Sequence, residues 1–163
     1  IAMLDLFWQG GVYGRYHADI GTGTGLLAFA AMHLWPSATA TASDIDPVCA
    51  GVVRDNMAMN GIVEGDRAGE LIMVIADGMD DPLLKLRGPY DLFIANILAG
   101  PLVELAPSFA SAVTPGGNLL LAGLLETQET RVRTVYRKLG FRLGRRLVNG
   151  DWSILWLRKS RHR

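Results

Sequence analysis

The sequence predicts a doubly wound α/β fold, an open and mostly parallel sheet with helices on both faces. Three observations carry that reading. Strand and helix patterns alternate five times along the 163 residues. Two strands, ELIMVIAD (70–77) and YDLFIANI (90–97), are continuous apolar runs, as expected of strands covered on both faces. The first strand also enters a glycine-rich turn, ADIGTGTG (18–25), ahead of a segment that is apolar all round.

The elements follow in chain order. Residues 1 to about 8 read as a short amphipathic helix with Met3, Leu4 and Phe7 on one side, closed by Gly10-Gly11. A strand over Tyr16–Ile20 leads into the glycine turn, and TGLLAFAAMHL (24–34) forms a buried helix that Pro36 stops. TATASDID (39–46), β-branched and small, reads as the second strand. Val48, Val52 or Val53, and Met57 recur at helical spacing from Pro47 to about Asn60, with Asp46 able to serve as N-cap, Pro47 in the first turn and Gly61 after the end. The apolar runs at 70–77 and 90–97 flank a helical turn near Asp80–Arg87. Leu102, Leu105, Phe109 and Val113 stripe one further helix, TPGG (114–117) punctuates, and NLLLAGL (118–124) is a strand. Val132, Val135 and Leu139 stripe the last helix, which ends at Gly140. Strands near 141–148 and 152–158 then close the chain as an antiparallel hairpin around Asn149-Gly150.

Bulk composition narrows the function classes. Half the residues are hydrophobic and a fifth charged, which excludes a disordered or collagen-like chain, and the length suits one domain. Lys and Arg together number 16, as do Asp and Glu, so no strong general nucleic-acid binding is expected, although a local basic patch is compatible with this balance. The single cysteine, Cys49, excludes an internal disulfide framework and suits a reducing compartment. No apolar stretch reaches the length of a membrane span, and the opening IAMLDLFWQGG lacks a basic start and a cleavage site. A cytoplasmic protein with no membrane partner is expected. The start on Ile1 suggests a trimmed or partial chain.

The glycine turn sits where doubly wound sheets bind ligands, at the carboxyl end of a strand. Gly21 and Gly23 allow close backbone approach, Gly25 begins the buried helix, and the amides there favour a negative group. The same glycines could instead serve a tight turn alone. Asp44 closes the second strand 19 residues after Gly25, where an acid meets ribose hydroxyls. Asp77, ending the third strand in ADG, could receive an adenine amino group. The spacing is Gly-x-Gly-x-Gly, whereas the usual dinucleotide fingerprint would need its third glycine at Leu26. That spacing and the antiparallel hairpin fit S-adenosylmethionine (SAM) better than a nicotinamide cofactor. The candidate cofactor-binding set on these strand ends is Asp19, Gly21, Thr22, Gly23, Gly25, Asp44, Ile45, Asp77 and Gly78, with no metal.

ANILAGPLVELAP (95–107), together with DIGTGTG (19–25), SDIDP (43–47), TPGGNLLLAGLLETQ (114–128) and GDW (150–152), resembles the catalytic domain of the PrmA family. These bacterial methyltransferases modify large-subunit ribosomal protein eleven on amino groups of lysines and of the N-terminus. The resemblance implies a Rossmann-like class I methyltransferase sheet, SAM as methyl donor with S-adenosylhomocysteine as product, and a ribosomal protein as acceptor. It also implies that Asn96 is both catalytic and cofactor-binding, beside the transferred methyl group. Related amine and amide methyltransferases carry Asn-Pro-Pro-Tyr there, and this chain has Asn96-Ile97-Leu98-Ala99. The missing aromatic removes a stacking platform for planar acceptors, as expected for an aliphatic amine. Asn96 could otherwise cap the helix near Gly100. Residues 1–163 are expected to form a single methyltransferase domain without the family's N-terminal substrate-recognition domain. An RNA or small-molecule acceptor, or cofactor binding without catalysis, stand as alternatives.

Other chemistry-bearing residues read as structural. Cys49 suits a small core position, and His17, His33 and His162 lack metal-ligand spacing. Trp152 and Trp156 share a strand face and are expected to pack. RKSRHR (158–163) reads as a frayed, solvated basic tail, with an RNA or ribosomal partner as the alternative.

Overall fold

A computed structural model describes residues 1–12 and 14–161; His162 and the last position of the basic tail lie outside the described residues. The elements run α1 (Ala2–Gln9), β1 (Tyr16–Ile20), α2 (Leu26–Leu34), β2 (Thr39–Asp44), α3 (Val48–Met59), β3 (Val63–Glu64), β4 (Glu70–Ile75), α4 (Pro82–Arg87) and β5 (Tyr90–Asn96). They continue with α5 (Ala99–Glu104), α6 (Ala106–Ala112), β6 (Val113–Leu125), a 3-10 turn (Glu126–Gln128), α7 (Glu129–Lys138), β7 (Phe141–Asn149) and β8 (Trp152–Lys159). Eight strands form one sheet in the order β3-β4-β2-β1-β5-β6-β8-β7. The first six are mutually parallel, and β8 runs antiparallel to both β6 and β7. The doubly wound sheet with its antiparallel C-terminal hairpin is as the sequence predicts.

Both faces of the sheet are covered, and β5 shows why it is apolar throughout. Its Phe93 and Ala95 enter the core beneath α4 to α7, with Leu84, Leu102, Phe109, Val132 and Tyr136. Leu92 and Ile94 point the other way, into a cluster with Met3, Leu4 and Phe7 of α1. On that second face α2 and α3 bury Ala28, Met32, Val53 and Met57 against β2 and β4. An eight-residue helix such as α1 is marginal alone. Burial of Phe7, whose ring centroid lies 4.5 Å from that of Trp156, holds it at about 1.5–3 kcal/mol for a large apolar side chain.

Three expectations are corrected. The single helix striped by Leu102 to Val113 is two helices, α5 and α6, meeting at Leu105. Pro107 has no N–H to donate back to residue 103, and its ring crowds that carbonyl. The apolar stripe survives the break, because Leu102, Phe109 and Val113 are all buried. The strand expected from 118 starts at Val113, opposite Tyr90; it bulges through the glycines and resumes with Asn118 opposite Leu92. The short edge strand β3 was not anticipated, since both its residues are exposed and carry no apolar pattern.

The C-terminal unit is fastened by one carboxylate. Glu129, at the start of α7 and 5 % exposed, accepts hydrogen bonds from Arg133, Arg146 and Ser153. Burial opposes its ionisation, but the donors outweigh that and hold its carboxyl below the ordinary range. Of the two tryptophans, Trp156 packs and donates to Asn118 Oδ1 at 2.9 Å, whereas Trp152 is 51 % exposed. The expectation that both pack therefore holds for Trp156 and fails for Trp152, which sits beside the hairpin turn opposite Leu125, beyond the helical layers.

Candidate active site

The chain winds outward from β1 in both directions, through β2 and β4 on one side and through β5 and β6 on the other. The crevice of such a sheet opens where the winding reverses, at the carboxyl ends of β1 and β5. Register sets these ends level: Ile20 pairs with both Ser43 and Ala95, and Asp44 pairs with Ile75. The carboxyl ends of β1, β2 and β5 and the segments after β1, β2 and β4 carry every candidate site residue along one rim of the sheet.

The glycine turn is built by backbone and carboxylate together. Gly21, Gly23 and Gly25 all have positive φ, at 72°, 59° and 86°, so the torsions alone exclude most side chains. Their surroundings differ. A Cβ on Gly21 would collide with Cγ2 of Ile97, and one on Gly25 with the Phe29 ring, whereas one on Gly23 would meet nothing within 4 Å. Gly21 and Gly25 thus serve packing, while Gly23 borders open space on the rim. Asp44 ties the turn down: its Oδ2 accepts from the Gly23 N–H at 2.8 Å and its Oδ1 from the Asp46 N–H at 3.1 Å. Each oxygen keeps a lone pair for a further donor.

Beneath the turn lies Asp19, 2 % exposed. Its Oδ2 accepts from the Thr22 hydroxyl at 2.7 Å and from the Ala28 N–H at 3.1 Å, while the buried Oδ1 has no partner among the described residues. Burial raises this carboxyl to about 6. No side chain caps α2, so apart from the Ala28 N–H its first-turn amide dipoles face the rim. Thr22, itself buried, spends its hydroxyl on Asp19. An orphaned carboxylate oxygen, an open glycine and an uncapped helix start fit a ligand that carries both cationic and anionic groups.

The remaining candidates complete the rim. Ile45, beside Asp44, is 64 % exposed. Asp77 is exposed after β4 and its carboxylate has no hydrogen-bond partner among the described residues; the following Gly78 is buried with φ 55°, its α-carbon close against Leu105. Asn96 ends β5, exposed and likewise without a partner for its side chain. It does not cap the next helix: α5 begins at Ala99 with Leu98 at the cap position and no side-chain cap. Ile97 is the residue that sequence reading missed. It packs on Gly21 from the β5 side and joins the glycine turn to the Asn96 segment. The only signal was its place between Asn96 and Leu98.

Cys49 and His17 sit in structural positions, as read. Cys49 packs beside Ala28 and Val53, and burial followed by the Asp44 carboxylate pushes its thiol up, which disfavours the nucleophilic thiolate. His17 is buried with Nε2 against the Gly14 carbonyl, and burial lowers it to about 4. Among the described residues no group of three His, Cys, Asp or Glu could hold a metal ion. No helix among them is long and apolar enough to cross a membrane.

His17 and Asp19, two residues apart, give opposing pH dependences. The lowered His17 contributes stability that is full above 6.5 and is lost as pH falls towards 4, a change of about 3 kcal/mol. The raised Asp19 works in reverse, since its stability is full below 3.8 and is lost as pH rises through about 6, again about 3 kcal/mol. The two nearly offset each other between about pH 4 and pH 6.5. Denaturant melts are therefore expected to show a shallower fall in stability, as pH drops through that window, for the native chain than for a variant that keeps only the His17 contribution. Asp19→Asn is expected to lose about 3 kcal/mol over the same window, and parallel profiles would contradict the assignment.

The family model described as ribosomal protein L11 methyltransferase (PrmA) matches residues 3–160. A ribosomal protein L11 methyltransferase of Agrobacterium fabrum is 38% identical over 146 residues, covering 90% of this chain and 48% of the relative. One from Brucella suis is 36% identical over 140 residues, covering 86% and 47%. The chain thus spans about half the length of the curated relatives it matches. Among solved structures, a ribosomal protein L11 methylase from Lactobacillus delbrueckii subsp. bulgaricus superposes with a TM-score of 0.80 at 27% identity, over 96% of this chain and 77% of that one. Human N-acetylserotonin methyltransferase, solved in complex with SAM, shares the fold with a TM-score of 0.63 at 18% identity, over 98% of this chain and 54% of its own.

Proposed function

The chain belongs to the PrmA family of ribosomal protein L11 methyltransferases, and on that premise we propose the reaction it performs. Residues 1–163 act as a single SAM-dependent methyltransferase domain. The acceptor is ribosomal protein L11, on lysine amino groups or the N-terminal amine, and the reaction takes place in the cytoplasm. The observation that carries this reading is the shared rim of Gly23, Asp44 and Asn96, an open backbone approach, a ribose acceptor and a free amide beside one crevice.

The residues divide the work by chemistry. Asp44 accepts ribose hydroxyls on the lone pairs left by Gly23 and Asp46, while Ile45 offers an apolar face and Asp77 an acceptor to the adenine. The uncapped start of α2 receives the carboxylate of the methionine part, and the unpaired Asp19 oxygen favours its ammonium. When bound, SAM supplies a methyl group already activated by a sulfonium. What remains for the chain is to hold a neutral amine in line, and such positioning supplies much of the rate in a reaction of this kind. Asn96 Oδ1 accepts a hydrogen from that amine and aims its lone pair. The Asn96–Ala99 segment carries no aromatic platform, which favours an aliphatic amine over a base.

Asn96→Ala is expected to slow methyl transfer at least about tenfold with little change in SAM affinity, because an orienting contact is made to the acceptor. Single-turnover kinetics beside calorimetric titration separate the two effects. Equal losses in affinity and turnover would make Asn96 part of the cofactor site instead.

A further inference from the structure

The neutral net charge of the chain conceals a strong segregation. Residues 1–128 carry 5 Lys and Arg against 14 Asp and Glu, whereas residues 129–163 carry 11 against 2. Such asymmetry between segments points to a polyanionic partner for the basic part. The acids of that part offset only a fraction of its charge. Glu129 is buried under Arg133 and Arg146, and Asp151 sits apart in the hairpin turn. Arg137, Arg142, Arg145 and Arg158 are exposed and, among the described residues, have no acidic partner.

These charges border a built concavity. A cleft of about 770 Å³ lies between α7 and β7, with Arg133, Arg137, Arg142, Thr130, Thr134 and Ser160 on its walls. Positions 130, 133, 134 and 137 fall on one face of α7 by the helical repeat. β7 ends the strand order, so the cleft follows the edge of the sheet. It is distinct from the rim that carries Gly23, Asp44 and Asn96.

We infer that this cleft and the adjoining β7 edge bind the phosphodiester backbone of RNA. The walls offer guanidinium forks interleaved with hydroxyls, the donor set that contacts phosphate oxygens without reading sequence. A protein partner is less well served. Interface anchors are Trp, Tyr and Arg seated in pockets, and the aromatic anchors are missing here, since Phe141 is 2 % exposed and Tyr136 fully buried. The inference is independent of the methyl-transfer reading, since none of these residues lies on the strand-end rim.

Fluorescence anisotropy of the chain with a labelled single-stranded oligouridylate, titrated across salt concentrations, tests it. The native chain is expected to bind at low salt with an affinity that falls steeply as salt rises. Arg137→Glu combined with Arg142→Glu, both exposed, should weaken binding at least about tenfold. The same pair should reduce the salt slope by about 1–2 units and leave S-adenosylhomocysteine affinity unchanged. Three results would overturn the inference: no RNA binding at low salt, equal binding by the charge-reversed variant, or binding of a polyglutamate peptide as tight as that of RNA. Salt-sensitive self-association in sedimentation, lost in the same variant without RNA binding by the native chain, would assign the cleft to the acidic half of a second copy instead.

Discussion

Gly23→Val is expected to weaken S-adenosylhomocysteine binding by at least about 100-fold while the sheet still folds. Two effects add. Valine at φ 59° is strained, at a cost on the order of 1–3 kcal/mol for a non-glycine residue in that region. Its branches would also project into the open space beside the turn, where no protein atom lies within 4 Å of a Cβ. That openness separates Gly23 from Gly21 and Gly25, where substitution meets Ile97 or Phe29 and threatens the fold itself. Calorimetric titration measures the loss, with circular dichroism to confirm folding. Gly23→Ala provides the graded comparison, with similar strain and less intrusion. A Gly23→Val protein that folds and binds like the native chain would leave the glycines a turn and nothing more.

Asp44→Ala should cost about 1–3 kcal/mol of cofactor affinity, the range for hydrogen bonds to a charged group, or roughly 5- to 150-fold. The carboxylate already accepts from the Gly23 and Asp46 amides, so its removal would free the glycine turn as well as the proposed ribose contact. Asp44→Asn separates these contributions, because one acceptor oxygen survives and can hold one of the amides. Its affinity should fall between the native chain and the alanine variant. Unchanged affinity in Asp44→Ala, with the fold intact, would remove Asp44 from the site.

Much of this was legible in the residues because the relevant signals are local. The apolar runs of β4 and β5 report burial on both faces, and the GTGTG spacing with Asp44 marks the strand ends that form the crevice. Asp46 was readable as the start signal of α3, and its Oδ1 accepts from the Val48 N–H at 2.9 Å. What stayed hidden depends on contacts between distant segments. Ile97 acquires its role only when β5 lies beside β1 and its side chain reaches Gly21. The break at Leu105 required weighing one proline against a sound apolar stripe. Trp152 misled because sharing a strand face with Trp156 does not ensure cover; Trp156 has Phe7 against its ring and Asn118 on its indole nitrogen, whereas Trp152 is 51 % exposed. The uncapped start of α5 likewise left Asn96 free, and periodicity could not foretell that.

Methyl transfer from SAM to ribosomal protein L11 tests the central claim most directly. It should be followed by mass spectrometry, with this chain and with a family N-terminal domain fused ahead of Ile1. The curated relatives are about twice as long as the stretch they share with this chain. Remote binding energy and tethering of the acceptor, supplied by the fused domain, would raise the effective concentration of the target amine. The expected result is slow methylation of L11 amino groups by the chain, faster methylation by the fusion, and loss of both in Asn96→Ala. Binding of SAM by both proteins with no methyl group reaching L11 would contradict the account and leave a cofactor-binding domain without transfer.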